Sequence, residues 1–179
     1  EKCRIYLPFN RFLKRSLPMR LLLATAVGLT LLSLHGCSET LVNLEAEGKN
    51  VKTAASSAFL EKNRSRSKVV TTTSGLQYLV LRQGSGIKPS LSSTVVTHYQ
   101  GEFVDGTVFD SSRQRGAPAT FPVTGVIEGW TEALQLMNEG SHWRLFIPPE
   151  LAYGDRGAGG GRIPPNSVLI FDIELLEVK

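Results

Sequence analysis

Residues 125–137 constrain this chain more than any other stretch, because from residue 76 onward they carry its one helical period. Trp130, Ala133, Leu134 and Met137 stand at i, i+3, i+4 and i+7 and share one apolar face of a short helix. Thr131, Glu132, Gln135 and Asn138 point the other way, and Gly140 stands where a helix would be stopped. Val126 and Ile127 form an apolar pair just upstream, and Gly129 leaves room beside the large indole. A lone amphipathic helix among strands must bury its face against the concave side of a sheet, since neither can do so alone. Trp130 is then either core filling or the floor of a pocket.

The strand signals around it are short and closely spaced. Leu76, Tyr78 and Val80 alternate before a Gly-Ser-Gly turn at 84–86, and residues 94–104 form a longer strand running into the hairpin-type pair Asp105 and Gly106. Short extended pieces are expected near 107–109 and 119–123. After the helix, residues 141–148 place Trp143, Leu145 and Ile147 on one face, and a Gly- and Pro-rich loop covers 152–166. In the last strand Leu169, Phe171, Ile173 and Leu175 face opposite Asp172 and Glu174. The expectation is an α+β domain over residues 74–179, an antiparallel sheet wrapping one helix.

Ahead of it, residues 37–73 read as a short helical segment and a linker. Val51, Ala54, Ala55, Ala58 and Phe59 follow helical spacing, Asn50 is a candidate cap, and Lys62, Arg64, Arg66 and Lys68 mark a solvated, flexible run. Residues 1–36 differ again. Residues 21–34 are an uncharged apolar run of 14, short of the ~20 a membrane span needs but suited to an export signal. The run ends in Leu34, His35, Gly36 and Cys37, which resembles a bacterial lipoprotein box, with His35 where a small residue is usual. That resemblance implies cleavage after Gly36 and lipid on Cys37, which would anchor the chain to a membrane; the alternative is an ordinary signal or a buried helix with an incidental cysteine. Ser38, where an aspartate would favour inner-membrane retention, points to the outer membrane of a bacterial cell envelope, facing the periplasm. Met19 makes residues 1–18 a candidate over-long translation start.

Charge and composition narrow the chemistry. The net charge of +4 belongs to the leader, because residues 37–179 hold 14 basic and 15 acidic side chains. No nucleic-acid surface is expected on such a domain. Cys3 and Cys37 both lie outside it, so no disulfide, cysteine nucleophile or thiolate metal site is expected there. His98 and His142 sit in strand patterns without a ligand-spaced cluster or a nucleophile elbow, and read as structural. The Gly run at 157–161 lacks the Lys and Ser/Thr of a phosphate loop and enters Pro164 and Pro165 rather than a helix.

Aromatic residues stand instead at turns and strand ends: Tyr99, Phe109, Phe121, Trp130, Tyr153 and Phe171. The segments 98–101 (His-Tyr-Gln-Gly), 105–112 (from Asp105 through Phe109 and Asp110), 126–130, 152–154, and Ile163 with Pro164 and Pro165 through Leu176 occur in order. Together they resemble the FKBP-type peptidyl-prolyl cis-trans isomerases over residues 74–179. Residues 58–62 and 71–78 resemble the junction of the bacterial Mip/FklB-like branch, whose amino-terminal helical segment often dimerises.

The resemblance implies a five- to six-stranded half-barrel around the helix, with a proline pocket between them and no cofactor or metal. Trp130 would be its floor and Tyr99, Phe109 and Phe171 its walls. Val126 and Ile127 would form the rim, the Ile127 amide donating to a substrate carbonyl. Tyr153 would offer its hydroxyl to the carbonyl before or at the proline. Asp110 would hold the pocket through Tyr99 or Arg115, and Phe121 and Ile163 would close the sides. Proline-containing polypeptides would be substrates and FK-type macrolides inhibitors, with Ala119 leaving one wall thinner than in eukaryotic members. A weak homodimer is a further expectation. A binding module or chaperone gripping proline segments with little turnover is the competing expectation.

Overall fold

The computed structural model describes residues 54–179. The expected leader, signal and lipidation site at Cys37 lie outside the described residues, as do Asn50 and Val51.

Seven strands form one antiparallel sheet: β1 (Val69–Thr71), β2 (Gln77–Arg82), β3 (Thr94–Glu102), β4 (Val108–Ser111), β5 (Ala119–Pro122), β6 (His142–Ile147) and β7 (Leu169–Val178). Their order is β1-β2-β6-β7-β3-β4, with β5 also on β3. The period-2 patterns account for the long strands. β3 turns Val95, Thr97, Tyr99 and Gly101 inward, β6 turns Trp143, Leu145 and Ile147 inward, and β7 does so with Leu169, Phe171, Ile173 and Leu175. β3 carries the most pairings. β7 runs along one side of it, while β4 pairs its end at Gln100–Glu102 and β5 its start at Thr94–Thr97.

The helix read from the sequence is α2, Glu128–Leu136, flanked on the same face by Met137. It begins two residues before Trp130, so the indole lies within its first turn. Trp130, Ala133, Leu134 and Met137 are all buried against the sheet. Burying a side chain such as Leu134 contributes about 1.5–3 kcal/mol. Gly129 permits the close approach: a Cβ there would lie 2.6 Å from Ile147 Cγ2, so its partner is the sheet rather than the indole. The α2 axis ends when Met137 turns extended, its N–H still bonded to the Ala133 carbonyl. Gly140, at φ +87°, serves the turn into β6.

The amino-terminal part departs from expectation. The sheet has seven strands rather than five or six, because β1 pairs with β2. The helix α1, residues 54–64 as far as described, does not bury Ala54, Ala55 and Ala58, which are exposed. Its inward face is Ser56, Phe59, Leu60 and Asn63, at the same helical spacing but rotated around the axis. Phe59 packs on Phe146 with ring centroids 6.2 Å apart. Asn63, expected in a solvated run, is 1% exposed and donates from Nδ2 to Gln77 Oε1 at 2.8 Å. Gln77 in turn donates to the Leu60 carbonyl at 2.9 Å. Phe146 and Gln77 point away from the Leu145 and Ile147 face, so α1 covers the sheet on the side opposite α2.

Candidate active site

The concave face of the sheet is not filled to its end. Beyond the first turn of α2 a cavity of about 610 Å³ opens, in the range of small-ligand sites. Tyr99, Phe109, Asp110, Phe121, Val126, Ile127, Trp130, Tyr153, Ile163 and Phe171 all line it, so every pocket residue expected from sequence converges here.

The elements explain the convergence. Tyr99 and Phe171 are neighbours on the inward faces of β3 and β7, and Phe109 and Asp110 come from β4. Phe121 is on β5, and α2 delivers Trp130. Tyr153 follows the 3-10 turn Pro149–Leu151. Gly101 makes the aromatic wall possible: a Cβ there would meet Phe109 Cζ at 2.5 Å and Phe171 Cε1 at 2.7 Å. The two rings therefore rest against bare backbone.

Trp130 sits at the centre. Tyr99, Phe121 and Phe171 meet its indole at interplanar angles of 85°, 84° and 88°, with centroids 5.3, 5.8 and 5.2 Å away. Edge-to-face contacts of this kind are worth about 0.5–1.5 kcal/mol each beyond area burial. Three of them hold the indole plane in one orientation. Its Nε1 has no hydrogen-bond partner among the described residues.

The polar side of the cavity is a closed triad. Tyr99 donates its hydroxyl to Asp110 Oδ2 at 2.6 Å and accepts from Arg115 Nη2 at 2.8 Å. Arg115 also pairs with Asp110 Oδ1, and its guanidinium carbon lies 5.5 Å from the Tyr99 ring centroid. Both routes expected for Asp110, through Tyr99 and through Arg115, are therefore present. Burial raises the Tyr99 pKa, and the Asp110 acceptor adds to that. Burial also pushes Asp110 upward, but the hydrogen bonds from Tyr99 and Arg115 outweigh it and hold the carboxyl below its ordinary value. Asp110 is thus ionised at neutral pH, with both carboxylate oxygens engaged in the wall.

Two polar groups of cavity-lining residues have no partner among the described residues. The Ile127 carbonyl accepts from the Trp130 and Thr131 amides at 2.9 and 3.1 Å, while its own N–H has no acceptor among the described residues. The Tyr153 hydroxyl is likewise unbonded there, on a residue that is 39% exposed.

Sequence reasoning missed Ser112, which bonds the Tyr99 backbone twice, accepting from its N–H at 2.8 Å and donating to its carbonyl at 3.2 Å. It also missed Arg162, Ala158 and Gly159 on the cavity wall. The Gly run beside Arg162 was the available signal, since a tight turn presents its flanking side chain. His98 and His142 take up structural contacts, with Ser112 Oγ at 3.0 Å and with Asp172 respectively.

An antiparallel sheet packed on one helix, with an aromatic-lined cavity at the helix start, defines a class of α+β domain with a preformed, largely apolar site. Residues 85–176 match the family of FKBP-type peptidyl-prolyl cis-trans isomerases, and residues 34–80 match the domain amino terminal to such isomerases. The chain belongs to the FKBP-type peptidyl-prolyl cis-trans isomerase family. It is 57% identical over 120 residues to the FKBP-type 22 kDa peptidyl-prolyl cis-trans isomerase of Escherichia coli, covering 67% of this chain and 58% of that protein. It is 51% identical over 137 residues to the outer membrane protein MIP of Legionella longbeachae, covering 76% of this chain and 57% of that one. The crystal structure of FkpA from Escherichia coli superposes with a TM-score of 0.71 at 42% identity, covering 83% of this chain and 74% of that one. The chain thus spans a little over half the length of the first two relatives.

Proposed function

We propose that this chain is a peptidyl-prolyl cis-trans isomerase that accelerates rotation about X–Pro bonds in folding or exported polypeptides. The observation that carries the reading is the Trp130 indole, framed by three perpendicular aromatic rings in an otherwise open cavity. Such a seat fits a flat, apolar five-membered ring.

The chemistry asks little more. Rotation about X–Pro breaks amide resonance over a barrier of about 18–20 kcal/mol, with no covalent bond made or lost. The planar amide carries more charge separation than the twisted one, so an apolar pocket disfavours the ground state. Fixed donors then favour the twisted carbonyl. In this reading Trp130 is the floor, Tyr99, Phe109 and Phe171 are the walls, and Phe121 and Ile163 close the sides. Val126 and Ile127 form the rim. The free Ile127 N–H and Tyr153 hydroxyl serve as the donors, and Asp110 keeps Tyr99 in place. Each ~1.4 kcal/mol of preference for the twisted state is tenfold in rate. The competing reading, a proline-segment binding module with little turnover, is disfavoured by the family and by the two free donors.

A protease-coupled assay on a short X–Pro peptide tests this. The chain should accelerate isomerisation well above background, and a Tyr153→Phe, Asp110→Ala double variant should lose most of that rate. A variant as fast as the parent would sink the assignment of these residues, and no acceleration by the parent would sink the isomerase reading.

The rest of the chain fits an envelope protein. The reading keeps residues 1–36 as leader and signal, 37–73 as anchor, helix and linker, and 74–179 as the isomerase domain. Lipid on Cys37 would tether it, and the name of the Legionella longbeachae relative supports an outer-membrane setting. Mass spectrometry of detergent-extracted protein should find acyl chains on Cys37; an unmodified soluble product would refute the tether. FK-type macrolides would compete for the pocket, and a weak homodimer would form through the amino-terminal segment.

A further inference from the structure

The side chains lining the pocket are uncharged except for Asp110 and Arg162. The two are not equivalent. Both oxygens of Asp110 are occupied, by Tyr99 and by Arg115, so its charge is matched inside the wall. Arg162 has no carboxylate within ion-pair distance among the described residues. Its one side-chain hydrogen bond among the described residues goes to a neutral acceptor, the Phe109 carbonyl, 3.4 Å from Nη2.

Nor is Arg162 on a slack loop. Ala158 and Ile163 exchange both backbone hydrogen bonds, at 2.9 and 3.0 Å, and so close a tight turn over residues 159–162. Gly159, Gly160 and Gly161 take φ of +62°, +63° and +98°, a run that side-chain-bearing residues resist. Gly157 packs so close that a Cβ would lie 2.3 Å from the Ile163 carbonyl oxygen. The turn thus sets one guanidinium without a carboxylate partner among the lining residues of a largely aromatic cavity.

We propose that Arg162 is a specificity-determining residue, pairing with an acidic side chain beside the bound proline so that the site prefers acidic-flanked X–Pro segments. The inference rests on the isomerase reading for its substrate class. Exposed ion pairs are worth about 0.2–1 kcal/mol, which converts to roughly 1.4- to 5-fold in rate. The preference should fade in salt, because the screening length falls to about 3 Å at 1 M.

The test uses the full chain and two peptide series, with Glu, Gln or Lys placed just before the proline in one and just after it in the other. The expected result is a Glu-to-Gln ratio of kcat/KM of about 2–5 in at least one series, with Lys below Gln. That ratio should collapse in Arg162→Gln, reverse in Arg162→Glu, survive in Arg162→Lys and shrink in high salt. A merely structural Arg162 would lower all peptides together and leave the ratio unmoved. Equal ratios in the parent and Arg162→Gln, in both series, would overturn the proposal. If no peptide is accelerated, the isomerase reading fails. Binding of the same peptides, read by tryptophan fluorescence, then decides the pairing by the same ratios.

Discussion

Asp110 is a carboxylate whose charge is matched within the cavity wall, by Tyr99 and Arg115. Its pKa lies below the ordinary value because Tyr99 and Arg115 donate to the charged form, while Tyr99 titrates above its own ordinary value. The triad therefore keeps one protonation state from below the ordinary carboxylate range to above the ordinary tyrosine range. The isomerisation rate should be flat between those limits, which a pH profile of the peptide assay would check. A group with a lowered folded pKa stabilises the fold above its unfolded pKa, and loses that as pH falls through the folded value. Protonating Asp110 should thus loosen Tyr99 only in acid. A rate titrating between pH 5 and 8 would mean that some other group carries the activity.

Among the elements, α2 depends on how near its first turn comes to β6. Gly129 faces Ile147 at a distance that no side chain fits, and Trp130 reaches the pocket floor because of that approach. Gly129→Ala should cost about 1–3 kcal/mol by overpacking, read by denaturant unfolding. It should also slow the peptide assay by displacing the indole. Ile147→Ala removes the clashing methyl, so adding Gly129→Ala to that background should cost less than adding it to the parent. Additive costs in the double-mutant cycle would show that the contact does not limit the helix. The helix itself was legible from four apolar positions at helical spacing, whereas the reason for its glycine was not. The sequence places Gly129 beside Trp130, but its steric partner is 18 residues away on β6.

At the scale of the molecule, the sheet is covered on both sides, and the outer cover is held by polar groups. Asn63 and Gln77 are each 1% exposed; Asn63 donates to the Gln77 side-chain carbonyl, and Gln77 donates to the Leu60 carbonyl. Asn63→Ala leaves the Gln77 carbonyl without that donor and should cost about 1–3 kcal/mol, measured by denaturant unfolding. Replacing both residues by apolar ones should cost less than the single change. If Asn63→Ala proves neutral, α1 is not integral to the domain.

Much of this protein was determined by the sequence alone. Alternation placed the inward faces of β6 and β7, one helical stripe placed α2, and the family resemblance carried by the ordered segments named ten of the residues that line the cavity. Those features are local or periodic, so they survive being read along a line. What the tertiary structure decided depends on residues distant in the chain. It paired Asn63 with Gln77, rotated α1 away from its alanines, and bound Ser112 to the Tyr99 backbone. It also left Arg162 as the one pocket charge without an oppositely charged partner among the described residues. Trp130, ambiguous as core or floor, is both: 4% exposed among its aromatic neighbours, yet lining the cavity. A periodic pattern reports which face a side chain takes, but burial of a polar group depends on which other group arrives to meet it.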